Sequence, residues 1–228
     1  LYTVDYLDFS KEIQARYKPL CVLKRHGEVI REFVVLTKSL DKSCKLSSLE
    51  GNSLSVDIGS LGKAGVMWLE VLLQEQELPA KETFFSDIHE SVDPSQAIYS
   101  VFFDKADACL VTKDTWLKLA ENNPQITEFL TPVVASPSML VSMIVVRASL
   151  DEKVKGDLLR ALTGLDKTYE GRRLLSSFSI EGIEEFNTPY FEGIALLHKK
   201  HTLLGVFRAF HTPKINTATL TFGGGDKS

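Results

Sequence analysis

Ser53-Leu54-Ser55-Val56-Asp57-Ile58-Gly59-Ser60-Leu61-Gly62-Lys63-Ala64-Gly65-Val66-Met67-Trp68-Leu69-Glu70-Val71-Leu72-Leu73-Gln74 is the stretch that decides the fold. It reads as a short strand over 53–56, a glycine-containing turn, and a strongly apolar helix over 63–76, in immediate succession. Downstream the order recurs: a helix over 94–103 with Pro94 suited to its first turn, a buried strand over 106–111, and a helix over 114–122 closed by Asn122-Asn123-Pro124. Strands over 133–135 and 139–147 follow, then helices over 151–165 and 168–178. Upstream, a helical signal over 5–17 carries Leu7, Ile13 and Tyr17 as its apolar positions. Two strand-like runs come next, 20–24 and 29–37, separated by the turn Arg25-His26-Gly27-Glu28. The second is nearly continuous in apolar residues, as in a strand covered on both faces. Strands alternating with helices predict an α/β fold with a largely parallel sheet. A polar stretch fills 38–48, and the glycine-rich end, 223–228, reads as frayed.

Composition narrows the function classes. The 228 residues are 44% hydrophobic and 25% charged, which excludes intrinsic disorder, and the apolar runs are too short for a membrane-spanning helix. The 26 basic residues against 30 acidic ones give a net charge of −4, with no basic stripe for nucleic acid. Cys21, Cys44 and Cys109 are isolated and form no CxxC pair, so they read as apolar fillers, with one disulfide open if the protein is exported. The start, Leu1-Tyr2-Thr3-Val4-Asp5-Tyr6-Leu7, has no basic segment followed by an apolar one, so a signal peptide is absent or already removed.

Chemistry-bearing patterns are few. Gly59-Ser60-Leu61-Gly62-Lys63-Ala64 invites comparison with a phosphate-cradling P-loop, but Asp57 stands at the first glycine position and Ala64 at the closing hydroxyl. A helix starting at Ser60 to Lys63 would still offer free N–H groups and a positive dipole end to an anion. Ser60 reads equally, and more ordinarily, as a plain helix cap. His198 and His201 share a helical spacing with Lys199 and Lys200 between them, which suggests a solvated face rather than a metal site. No GxSxG nucleophile elbow occurs, and no catalytic residue is assigned. No cofactor is implied.

Three segments together resemble a known family. The run Leu46-Ser47-Ser48-Leu49-Glu50-Gly51-Asn52-Ser53-Leu54-Ser55-Val56-Asp57-Ile58-Gly59-Ser60 is similar to the lead-in to the second lobe of type II periplasmic binding proteins. Phe103-Asp104-Lys105-Ala106-Asp107-Ala108-Cys109-Leu110-Val111 resembles their strand after the second-lobe helix. Thr168-Tyr169-Glu170-Gly171-Arg172-Arg173-Leu174-Leu175 resembles the "TPEGRALL" helix of the phosphate, phosphite and phosphonate group. The resemblance covers roughly residues 1–186; nothing from Tyr190 onward matches.

The resemblance implies two α/β lobes with a ligand cleft between them. Segments 33–38 and 139–147 would be the crossovers, giving a discontinuous first lobe of 1–38 and 137–228 and a second lobe of 39–136. Family members carry a further strand and helix ahead of the position of Leu1, so the first lobe is expected to lack that part. The implied activity is capture of a small anionic or zwitterionic solute, phosphonate-like or a carboxylate, by cleft closure rather than catalysis. The implied partner is the membrane permease of an ABC transporter or a sensor kinase, in the periplasm or at the cell surface. On the second-lobe side the expected ligand residues are Ser60, Leu61, Gly62 and Lys63, then Ser95 and Gln96 at the next helix start. Thr112, with Lys113, would stand at the carboxyl end of a strand, where open α/β sheets place ligands. Tyr2, Thr3 and Tyr6 would supply the first-lobe side. Phosphonate binders have consecutive hydroxyls at the second-lobe helix start, whereas Ser60 is followed by Leu61 and Gly62. That departure points to a ligand with an apolar part beside its anion.

Overall fold

The computed structural model describes residues 1–38 and 44–211; the expected frayed end at 223–228 and part of the polar stretch lie outside them. Two short helices, α1 (Thr3–Leu7) and α2 (Lys11–Arg16), replace the single helix expected over 5–17. Ser10 breaks it by capping α2, its hydroxyl accepting from the Ile13 N–H. Strands β1 (Tyr17–Lys24) and β2 (Phe33–Thr37) follow, then β3 (Ser53–Asp57), α3 (Ile58–Leu61) and α4 (Lys63–Glu75). Beyond them come α5 (Lys81–Phe84), β4 (Asp87–Ser91), α6 (Pro94–Phe102), β5 (Ala108–Thr112) and α7 (Lys113–Asn122). The chain continues through α8 (Gln125–Phe129), β6 (Thr131–Ala135), β7 (Met143–Arg147), α9 (Glu152–Thr163), α10 (Tyr169–Ser177), β8 (Gly182–Glu185) and α11 (Pro189–His211).

The strands form two sheets, one ordered β7-β1-β8 and the other β4-β3-β5-β2-β6. The α/β alternation holds, but the sheets are not largely parallel. Among the described residues the parallel pairs are β3 with β4 and β3 with β5; β2 is antiparallel to β5 and β6, and β1 to β7 and β8. The reason is the route of the chain: it passes between the sheets rather than winding through one of them. Strand β2, expected as a crossover on the first-lobe side, is hydrogen-bonded inside the larger sheet. The two passages lie just before it and just after residue 136. They meet where the Arg31 N–H donates to the Met139 carbonyl (2.8 Å) and the Met139 N–H donates to the Arg31 carbonyl (2.9 Å).

Burial follows the pleat. Phe33 and Val35 face one cluster while Val34 and Leu36 face another, so β2 is covered on both sides as its apolar run predicts. The largest cluster runs through both lobes, joining Val4 and Val22 to Phe33, Leu54, Leu61 and Trp68. Helix α11, for which the sequence offered no match, adds Ile194 and Leu197 to it and lies against α4 and α1. Its polar residues pin both lobes: His198 meets Asp8 at 3.0 Å and Lys200 meets Glu75 at 2.6 Å.

Candidate functional site

A cleft of about 800 Å³ opens between the two sheets. The β1–β2 connection builds one wall. Arg25 and Glu28 close a tight hairpin by exchanging backbone hydrogen bonds (2.9 and 3.0 Å). His26 and Gly27 sit at its tip with φ of 50° and 82°, the left-handed geometry such a turn demands. The hairpin sets Arg25, His26 and Val29 in the cleft wall, with Arg31 at the passage between sheets. Tyr2, Val141, Ser142, Phe178 and Ser179 complete the first-lobe side. From the second lobe come Gly59, Ser60, Val92, Ser95, Thr115 and Lys118.

The cations here are held firmly. Arg25 Nη1 donates to the carbonyls of Phe178 and Ser179, each at 2.6 Å. Burial, and then the neighbouring charge of Arg31, push the Arg25 guanidinium down from its ordinary value, with the charge of Asp114 acting against them. Arg31 reaches across to α7, donating from Nη2 to Asp114 Oδ2 (2.6 Å) and Thr112 Oγ1 (2.8 Å), and from Nε to Asp114 Oδ1 (3.1 Å). Burial alone would raise the Asp114 carboxyl. The Arg31 hydrogen bond and charge, with Thr112 and His26, outweigh it and hold the group below the usual carboxylate range. His26 stands between Asp114 and Glu181, 3.6 Å from each.

The helix amino ends behave differently from expectation. At α3 the Ser60 N–H donates to Asp57 Oδ1 (2.9 Å), and at α6 the Ser95 N–H donates to Asp93 Oδ1 (2.9 Å). Both ends already hold a carboxylate, which offsets the dipole that an anion would use. Asp57 is fully buried, and burial raises its carboxyl above the ordinary range against hydrogen bonds from Ser60 and the charge of Arg31.

Of the ten residues expected to meet ligand, Tyr2, Ser60 and Ser95 line the cleft. The other seven do not. Thr3 is fully buried, and Tyr6 is in the core with its hydroxyl on the Tyr17 carbonyl at 3.3 Å. Leu61 is fully buried because α3 turns that face onto the core. Gln96 Oε1 accepts from the Ser91 hydroxyl (3.1 Å), and buried Thr112 serves Arg31. Lys63 points to the far side, paired with Asp5 (2.9 Å) and Asp8 (3.3 Å), and Lys113 pairs with Glu32 (2.8 Å). Gly62 lies behind the cleft under the Tyr2 ring: with φ of 54°, a Cβ there would sit 2.9 Å from Tyr2 Cδ1. Tyr2 in turn donates its hydroxyl to the Gly59 carbonyl at 2.7 Å, tying the lobes together. Gly59 is required by close approach, since its Cβ would fall 2.1 Å from the Val92 carbonyl oxygen.

Sequence reasoning did not single out the cleft-lining Arg25, His26, Arg31, Thr115 and Lys118. One signal was present: Arg31 and Glu32 interrupt an apolar run in which a charge needs a partner.

The family model described as the periplasmic substrate-binding protein of a phosphonate ABC transporter matches residues 4–189. The chain belongs to that family. It is therefore a solute-binding protein of the periplasmic transport type, a class that binds rather than transforms its ligand, and the family implies a small solute and an ABC permease as partners. Solved structures with the same fold include a Xanthomonas citri protein bound to ATP (13% identity, TM-score 0.66, covering 90% of this chain and 76% of that one). Another is a binding-protein component of an ABC phosphonate transporter from Pseudomonas aeruginosa (12% identity, TM-score 0.64, 90% and 68% covered). A third is a Prochlorococcus marinus protein in complex with methylphosphonate (16% identity, TM-score 0.59, 81% and 71% covered). No curated protein matches the chain by sequence. Among the described residues, no helix is long and apolar enough to cross a membrane, and no group of three or more His, Cys, Asp or Glu side chains is arranged to hold a metal ion.

Proposed function

We propose that the chain captures a small anionic solute in the cleft and presents it, with the lobes closed, to an ABC permease outside the cytoplasmic membrane. One observation carries the reading: Arg25 and Arg31, from the same connection, both line the cleft of about 800 Å³. A phosphonate, phosphate ester or carboxylate in the cleft accepts charge-assisted hydrogen bonds from the guanidinium N–H groups that Asp114, Thr112 and the Phe178 and Ser179 carbonyls leave free. Ser95, Thr115 and Lys118 face it from the second lobe, so the ligand bridges both lobes and favours the closed population. The lobes are best divided at the Arg31–Met139 passage: roughly 1–32 and 137–211 against 33–136. Anion capture thus rests on arginines rather than on the helix ends at Ser60 and Ser95.

A thermal-shift screen tests this. Phosphonates, phosphate and carboxylates at about 100 times Kd should stabilise the native state by roughly 2.7 kcal/mol. Stabilisation by neutral sugars or cationic amines alone would refute the proposal.

A further inference from the structure

Helix α11 begins at Pro189, where the family match ends, and it straddles the hinge. Its first turns rest on the first lobe. Phe191 packs edge-on against Tyr6 and against Phe186, with ring centroids 6.2 Å apart in each pair, and Ile194 is fully buried. The helix then crosses the second passage between the sheets at close range. A Cβ on Gly193 would lie 3.2 Å from the Ser138 carbonyl oxygen and 3.5 Å from Met139 Cγ. Met139 is the residue that exchanges backbone hydrogen bonds with Arg31 where the two passages meet. Past this crossing, α11 lies along α4 of the second lobe. His198 still holds Asp8 of the first lobe (3.0 Å), and one turn on His201 holds Glu70 of the second (2.5 Å). Lys200 meets Glu75 at 2.6 Å, and Leu204 shares a groove with Val71 of α4.

Burial decides which interlobe contacts resist motion. The pair of Lys63 with Asp5 is of small weight, because the Lys63 side chain is 64% exposed. Leu204 is only 7% exposed and Glu70 9%, so drawing α4 away from α11 returns an apolar side chain to water and strips His201 from a buried carboxylate. Among the described residues, none from α11 lines the cleft, so the helix acts on the lobes without touching the solute.

We propose that α11 is a brace across the hinge: it holds α4 to the first lobe and limits how far the lobes part about the Arg31–Met139 passages. A cleft held to a narrow range of widths leaves less motion for a ligand to immobilise, and less binding energy is lost on capture. The brace acts in the free protein, whatever solute the cleft takes.

Two measurements on the ligand-free full chain test it. Double electron–electron resonance reads the lobe separation from labels at Lys153→Cys in α9 and Glu121→Cys in α7, exposed sites on opposite lobes, in a Cys44→Ser background. It should give one narrow distribution; a broad or two-peaked one would overturn the brace. Hydrogen exchange then follows the Arg31 and Met139 amides, whose paired bonds the parting lobes must strain. His201→Ala with Leu204→Ala should speed both amides roughly tenfold or more, the factor that uncovering a leucine side chain corresponds to, while the β2 amides keep their rates. Lys63→Ala should change neither. Hinge amides unmoved by the double substitution, or sped only together with β2, would overturn the brace and leave anion capture standing. Should the double variant not fold, the resonance measurement on the braced chain still decides.

Discussion

Arg31→Met removes the cation that joins the two passages to α7 while keeping most of the apolar stem. In the folded protein the Arg31 side chain is 11% exposed and that of Asp114 20%, and two hydrogen bonds of 2.6 and 3.1 Å link them. Deleting one member of a buried pair costs about 3–5 kcal/mol, because the other charge is stranded. Asp114 keeps some water, which places the loss near the lower end, about 3 kcal/mol. The pH dependence has a definite sign. The folded Asp114 carboxyl lies below its unfolded value. Its contribution is therefore complete above the unfolded value of about 4 and is lost as pH falls through the folded one. In the variant, burial acts unopposed and Asp114 takes up a proton at higher pH, so the gap between the two proteins should narrow between about pH 6 and 4. Urea unfolding at pH 7 and pH 4 measures this. Combining Arg31→Met with Asp114→Asn should cost less than the sum of the single changes, by about 1–3 kcal/mol. A loss below about 1 kcal/mol at pH 7, or one undiminished at pH 4, would refute the account of this pair.

Asp57→Asn should have the opposite sign. The cap survives, since Asn accepts from the Ser60 N–H as Asp does. The folded carboxyl is raised by burial, so its charge costs stability as pH climbs above the unfolded value; the variant should be more stable than the parent at pH 7 and no more stable below about pH 4 in urea unfolding. Gly62→Ala should lose about 2–4 kcal/mol from strain at φ of 54° and from the clash with the Tyr2 ring; adding Tyr2→Ala should recover only the clash. Of the three thiols, only half-buried Cys44 should react promptly with Ellman's reagent in the native state. Cys21 is fully buried with its thiol pushed up to about 11, and burial raises Cys109 further.

Local order was legible where a single face or cap decides it. The strand over 53–56, the turn at Asp57 to Gly62 and the helix beyond it carry their own apolar pattern, and Pro94 and Asn123-Pro124 mark helix ends within a residue or two. Strand direction was not legible, because β2 pairs with β5 and β6, segments more than 70 residues away in sequence. The site was partly legible. Tyr2, Ser60 and Ser95 were placed by family pattern and do line the cleft. Its charge was assigned to the helix ends at Ser60 and Ser95, although Asp57 and Asp93 stand at cap spacing before them, so the dipole ends could have been read as occupied. Arg25 looked like an ordinary hairpin charge. Only the fold brings it beside Arg31, and only the turn after α10 fixes its direction.

A crystal structure with bound methylphosphonate tests the central claim most directly. The account predicts phosphonate oxygens within hydrogen-bonding distance of both the Arg25 and Arg31 guanidiniums, with at least one contact from Ser95, Thr115 or Lys118. A phosphonate seated on the Ser60 or Ser95 backbone away from the arginines, or bound outside the cleft, would contradict it.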